Sequence, residues 1–154
     1  MNVEKLNINV NGKPILGFNG SDLIVKEIED LIGFALPKSY LCFISKADGG
    51  HPEIGSFCPE GSSLENSFTV DWFYSFANPN VENIKSAIKN WGDLLGEQTL
   101  PIGRDAGGNQ IYLLVGKSTA SVWLLLHDEN DMRVKLANSL EEFVSALTIN
   151  PDFI

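Results

Sequence analysis

The sequence predicts an α+β domain, an antiparallel sheet with helices packed against it. Three observations lead there. Apolar residues recur at helical spacing in four separate segments. Three apolar runs near the C-terminal end alternate with short polar turns, which join antiparallel neighbours and leave no room for crossover helices. The order is hairpin, helices, strand, helix, three strands, helix, and not the regular strand–helix alternation of a parallel sheet. With 154 residues and 44% hydrophobic content, the chain is long enough for one sizeable core.

The first element is a hairpin over about 6–18. Leu6, Ile8 and Val10 alternate with polar residues, and Asn11-Gly12 supplies the two positive φ angles of a type I′ turn. A helix starts after Ser21 as N-cap, shows Ile24, Ile28, Leu31 and Ile32 on one face, and stops at Gly33. Pro37 suits the first turn of a second helix, whose face is Leu36, Tyr40, Phe43, Ile44 and Ala47. Gly49-Gly50 ends it. Residues 51–66, rich in Gly, Pro, Ser and Glu, read as a loop.

A strand is expected over 67–76, with Phe68, Val70, Trp72, Tyr74 and Phe76 facing the core and Asp71, Phe73 and Ser75 on the other side. Asn80 is placed to cap a third helix bearing Val81, Ile84, Ile88, Trp91 and Leu95. The segment from Leu100 to Asn109 reads as a glycine-rich turn. Phosphate-binding glycine loops open a helix, whereas this one opens a strand, so its glycines serve backbone geometry. Strands follow over 110–116, 121–127 and 132–137. Ser139-Leu140-Glu141-Glu142 forms a capping box for a last helix burying Leu140, Phe143, Val144 and Leu147. The whole chain, 1–154, reads as one domain with its core over about 22–148.

The formal charge of −9 disfavours binding to nucleic acid or to anionic membranes and favours a basic partner. No apolar run approaches the length of a membrane span, and the N-terminus lacks the apolar core of a signal peptide. Cys42 and Cys58 are the two cysteines, both expected reduced, with Cys42 a small buried thiol of a helix. These features suit a cytoplasmic protein.

Few residues of the sequence stand in patterns that carry chemistry. His51, His127, Cys42 and Cys58 make a zinc set by count but lack paired ligand spacing, so no metal or other cofactor is expected. His51 beside Asp48, or His127 beside Asp128, could act as a base, yet no nucleophile elbow accompanies either. Asp128-Glu129-Asn130-Asp131 resembles the start of a calcium loop without its glycine and terminal glutamate, and reads as a solvated hairpin turn. Asp105 and Asn109 flank Gly107-Gly108 and suit Asx bonding within the turn. No catalytic residue is assigned.

Several blocks together resemble the SUKH superfamily, the Knr-like proteins. They are the stretch from Glu27 to Gly33, Leu36-Pro37-Lys38-Ser39-Tyr40-Leu41-Cys42-Phe43, and Asp48-Gly49-Gly50. The Gly-Gly-Asn turn leading into Ile111, Val122-Trp123, His127-Asp128 and the run from Leu136 to Val144 continue the match in order. The resemblance covers about 22–148. The N-terminal hairpin and the aromatic richness of 67–76 depart from it.

The resemblance implies a single α+β binding domain and, for many bacterial members, an immunity protein that neutralises a polymorphic toxin. No family catalytic residue transfers. The partner expected is a toxin domain with a basic surface, such as a nuclease, met by Glu53, Glu60, Glu65, Asp71, Phe73, Asp128, Glu129 and Asp131. A regulatory or scaffolding domain is the alternative, and a small hydrolase using His51 or His127 a further one.

Overall fold

The computed structural model describes residues 1–58 and 67–150. A short 3-10 turn, Glu4–Leu6, buries Val3 and Leu6, and Asn7 turns the chain with φ 48°. Leu6 is therefore not in a strand. Strand β1 (Ile8–Val10) pairs antiparallel with β2 (Lys13–Pro14) through the expected Asn11-Gly12 turn, with φ of 53° and 80°. β1 also pairs with β3 (His51–Pro52), which lies inside the segment read as loop.

Helix α1 (Asp22–Ile32) follows Ser21 and ends at Gly33 in the left-handed conformation, φ 85°. Only Ile28 of this helix is fully buried, and Leu31, expected on the core face, is 56% exposed. Helix α2 (Lys38–Lys46) buries Tyr40, Phe43 and Ile44 as expected. Pro37 stands one position earlier than expected, as an extended N-cap with ψ 141°. Cys42 is exposed and not a buried thiol, because it lies off the Tyr40–Phe43–Ile44 face.

Gly49 is required by two constraints at once: φ is +83°, and a Cβ would stand 2.6 Å from the backbone of Ser75. Next to it, Gly50 and Phe73 exchange backbone hydrogen bonds of 2.9 and 2.8 Å. The glycine pair thus ends one segment and fastens it to the next strand.

The main sheet has six antiparallel strands in sequence order: β4 (Ser56–Phe57), β5 (Phe68–Phe73), β6 (Thr99–Asp105), β7 (Gln110–Val115), β8 (Ala120–Leu126) and β9 (Met132–Ala137). The last three are the expected meander. β6 is the omission. Pro101 and Gly103 mark its sequence as turn-like, yet it pairs on both sides, with an irregularity between those two residues. Beyond β4, Ser56 and Thr148 exchange backbone bonds of 3.0 and 2.9 Å.

The register of β5 shifts between Val70 and Trp72, so Asp71 is the extra residue of a bulge opposite Asp105 and Arg104. The bulge breaks strict alternation and turns both Val70 and Phe73 inward, each 0% exposed. Phe73, expected on an open face, packs edge-to-face on Phe43 with ring centroids 5.0 Å apart. Strand β5 ends at Phe73, three residues short of the expected span, although the Tyr74 N–H still donates to the Ile102 carbonyl at 2.9 Å.

Helix α3 (Ile84–Leu95) is capped by Asn83, whose side chain accepts from the Ser86 N–H at 3.0 Å. Asn80 is not the cap, and Val81 precedes the helix. Helix α4 (Leu140–Ala146) has half of the expected box. Ser139 Oγ accepts from the Glu142 N–H at 3.1 Å, while Glu142 returns to the N–H of Asn138 rather than Ser139.

The principal core gathers Phe43 and Ile44, Phe143 and Val144 with the inward residues Ile111, Leu113, Val122 and Leu124. Alternation sends Tyr112 and Leu125 to the opposite face, where they pack with Leu95 and Trp91 of α3 and with Trp123. Helices therefore cover parts of both sheet faces. The Tyr40 hydroxyl is buried with no hydrogen-bond partner among the described residues, and burial, aided by the Asp48 charge, pushes its ionisation well above the usual range. Among the described residues no helix is long and apolar enough to cross a membrane.

Candidate functional site

The acidic β8–β9 turn and the glycine turn between β6 and β7 form one assembly. Asp105 organises the glycine turn. Its Oδ1 accepts from the Asn109 N–H and its Oδ2 from Asn109 Nδ2, both at 2.9 Å. Gly108 takes φ +88° between them, which a residue with a Cβ adopts with difficulty. The Asx reading of this turn therefore holds. Asn109 Oδ1 then reaches across to accept from the His127 N–H at 3.1 Å, and His127 Nε2 lies 2.9 Å from the Gly107 carbonyl.

His127 is thus held on two sides, with Trp91 of α3 edge-on at 6.0 Å between centroids. Its Nδ1 lies 3.1 Å from Asp128 Oδ1. Asp128, Glu129 and Asp131 stand exposed on the tight turn that follows, where Asn130 and Asp131 both have positive φ. The base of this short turn is thus anchored, and its carboxylates face solvent.

A second cluster lies on the bulge of β5. Arg104 NH1 donates to Asp71 Oδ2 at 2.6 Å, and its Nε and NH2 reach Glu82 at 2.9 and 2.8 Å. Burial works to lower the Arg104 guanidinium, but the hydrogen bonds to Glu82 and Asp71 outweigh it and hold the ionisation above its ordinary value. His51 Nδ1 lies 2.7 Å from the Asp71 backbone carbonyl. Beneath this cluster Tyr74 donates to Gln110 Oε1 at 2.6 Å, and Gln110 Nε2 donates to the Gly108 carbonyl at 2.9 Å. The buried pair links the bulge to the glycine turn.

The expected partner contacts are therefore scattered. Asp128, Glu129 and Asp131 come together. Asp71 is engaged by Arg104, and Glu53 by the side-chain amides of Asn7 and Asn9. Phe73 is core and presents nothing to a partner. Glu60 and Glu65 lie outside the described residues. The hinted zinc ligands do not converge: no group of three or more His, Cys, Asp or Glu among the described residues could hold a metal. Cys42 and Cys58 are both exposed and not bridged to each other.

Sequence reasoning missed Arg104, Glu82 and Gln110. Arg104 was hidden in a segment read as turn, and Glu82 stands before α3 rather than within it. Gln110 gave a weak signal as the one polar residue opening an otherwise apolar strand.

The described surface offers charge, turns and grooves, the equipment of a domain that binds other molecules. The chain belongs to the SMI1/KNR4 family (SUKH-1), whose model matches residues 20–146, most of its length. SUKH domains are known broadly as immunity-type domains and not as an enzyme family. A relative in Bacillus subtilis strain 168, the SPbeta prophage-derived uncharacterized protein YokK, is 28% identical over 144 residues, covering 82% of this chain and 74% of the relative.

Proposed function

We propose that this protein is an immunity protein, which binds a toxin domain with a basic surface and blocks its active site or substrate groove. The observation that carries the reading is the exposed acidic turn Asp128–Glu129–Asp131, fixed to the sheet by His127, in a family of immunity-type domains. The net charge of −9 supports it, since opposite charge speeds encounter and disfavours wrong partners. Glu53 and Asp71 lie apart from that turn, and their carboxylates already serve bonds within the protein. The protein would act in the cytoplasm and perform no covalent chemistry.

The test is co-expression with the variable C-terminal domain of a toxin encoded beside its gene. Rescue of growth, together with a complex on gel filtration, is the expected result. A neighbouring toxin domain that kills regardless, with no complex formed, removes the reading for that toxin. Substrate turnover lost in both His51→Ala and His127→Ala, with folding intact, would return the hydrolase alternative.

A further inference from the structure

We infer that a groove formed by two adjoining hollows docks an extended segment of a protein partner, with apolar side chains at one end and carboxylates at the other. The groove shares no residue with the acidic β8–β9 turn, so it goes beyond the proposal above and stands without it.

The first hollow, about 660 Å³, lies between the start of α2, the β7–β8 turn and the start of α4. Lys38 and Lys117 line it with a single carboxylate, Glu141. In a chain with 20 acidic and 11 basic residues, this locally reversed balance fits an anionic group. Neither lysine has an ion-pair or hydrogen-bond partner among the described residues, so each is available to a ligand.

The second hollow, about 720 Å³, runs between the end of α1 and α3. Leu31, Ile32 and Ile88 line it together with two lysines and two carboxylates, Asp93 and Glu97. Leu31 is 56% exposed here; Leu23 of the same helix, 77% exposed, lies outside the hollow. Apolar surface left open in a groove beside charged side chains suits a contact site.

Phe34 and Gln98 line both hollows. Gln98 has φ 58°; every other described non-glycine residue with positive φ is Asn or Asp, which tolerate that region far better. Its carbonyl accepts from the Val115 N–H at 2.8 Å, which fixes the loop, while its side chain bonds to no described residue. Strain of this kind gathers at ligand-binding sites. A free carboxamide at the junction offers one donor group and one acceptor to a peptide backbone passing between the hollows.

The test uses the full ¹⁵N-labelled chain and two pools of synthetic octapeptides. In one, four aliphatic or phenylalanine positions adjoin four Asp or Glu positions, in either order. In the other, Lys and Arg replace the acids. The acidic pool should shift the backbone amide signals of Phe34, Gln98 and Ser118, and the basic pool should not. The double variant Lys38→Glu, Lys117→Glu should bind the acidic pool at least tenfold more weakly with its melting temperature held. Gln98→Gly should melt higher, through relief of strain, yet bind at least threefold more weakly. Equal shifts from both pools, silence at those amides, or either variant binding as the parent does would overturn the inference. So would concentration-dependent shifts there without peptide, accompanied by a dimer in sedimentation, because the occupant would then be a second copy.

Discussion

Arg133 closes the C-terminus of α3 from across the sheet. Its NH1 donates to the Leu95 carbonyl at 2.7 Å and its NH2 to the Leu94 carbonyl at 2.6 Å, while the guanidinium sits 5.8 Å from the Tyr112 ring centroid. The last carbonyls of a helix lack intrahelical partners and carry partial negative charge, so a cation satisfies both needs together.

Replacing Arg133 therefore tests how α3 is secured. Arg133→Ala should lower the unfolding free energy by about 1 kcal/mol, and Arg133→Lys should recover only part of it, since an ammonium cannot repeat the forked geometry. Urea denaturation reads both. Equal stability in all three proteins would show that the contact contributes nothing in solution.

Tyr74 makes stability sensitive to alkali. Burial is the chief cause that pushes its phenol up to about 12; the Gln110 hydrogen bond lowers it, Glu82 raises it and Arg104 lowers it. In the unfolded chain the phenol ionises near pH 10. The stabilisation is thus complete below about pH 10 and is lost as pH rises toward 12, a change of about 2 kcal/mol across that window. Tyr40, raised further, acts in the same direction. Tyr74→Phe should flatten the alkaline slope of the melting temperature without abolishing it. At neutral pH the same variant should cost about 1 kcal/mol, because Gln110 Oε1 loses its buried donor.

Phe73 and the acidic turn should separate stability from recognition. Phe73→Ala removes a ring packed on Phe43 and should cost about 3–5 kcal/mol in chemical denaturation. Asp128→Lys and Glu129→Lys with Asp131→Asn, which keeps a residue that tolerates the positive φ of position 131, alter exposed positions and should leave stability within about 1 kcal/mol. Stopped-flow association with the toxin domain proposed above should slow in the triple variant by about tenfold or more.

Salt distinguishes steering from simple solubility. If the acidic surface guides encounter, association should slow as sodium chloride rises from 50 to 500 mM, by roughly tenfold, because charges beyond about 10 Å become screened. An unchanged on-rate would confine the charge to keeping the protein dissolved.

Where local chemistry and global packing agreed, the sequence was readable. Asn11-Gly12, Gly33 and the 110–137 meander carry their own turn and period signals, and the structure follows them. β6 was unreadable because Pro101 and Gly103 are strand breakers in isolation. Here partners on both sides and a register irregularity accommodate them. Phe73 was misplaced for a related reason: one extra residue, Asp71, breaks the alternation and puts Phe73 inward beside Val70, while Tyr74 and Phe76 stay buried as expected. The site was less legible than the fold. His127 could be paired with Asp128 as a chain neighbour, but its tie to Asn109 spans 18 residues, and no spacing rule reports that.

A sheet of this kind must also avoid recruiting strangers along its rims. At one margin Thr148 bonds to Ser56 and occupies positions an incoming strand would want. At the other, β9 alternates in exposure and carries Arg133 and Lys135, so two copies approaching side by side bring cation against cation. The molecule should accordingly stay monodisperse when concentrated, its capacity for contact confined to surfaces that read shape and charge instead of bare backbone.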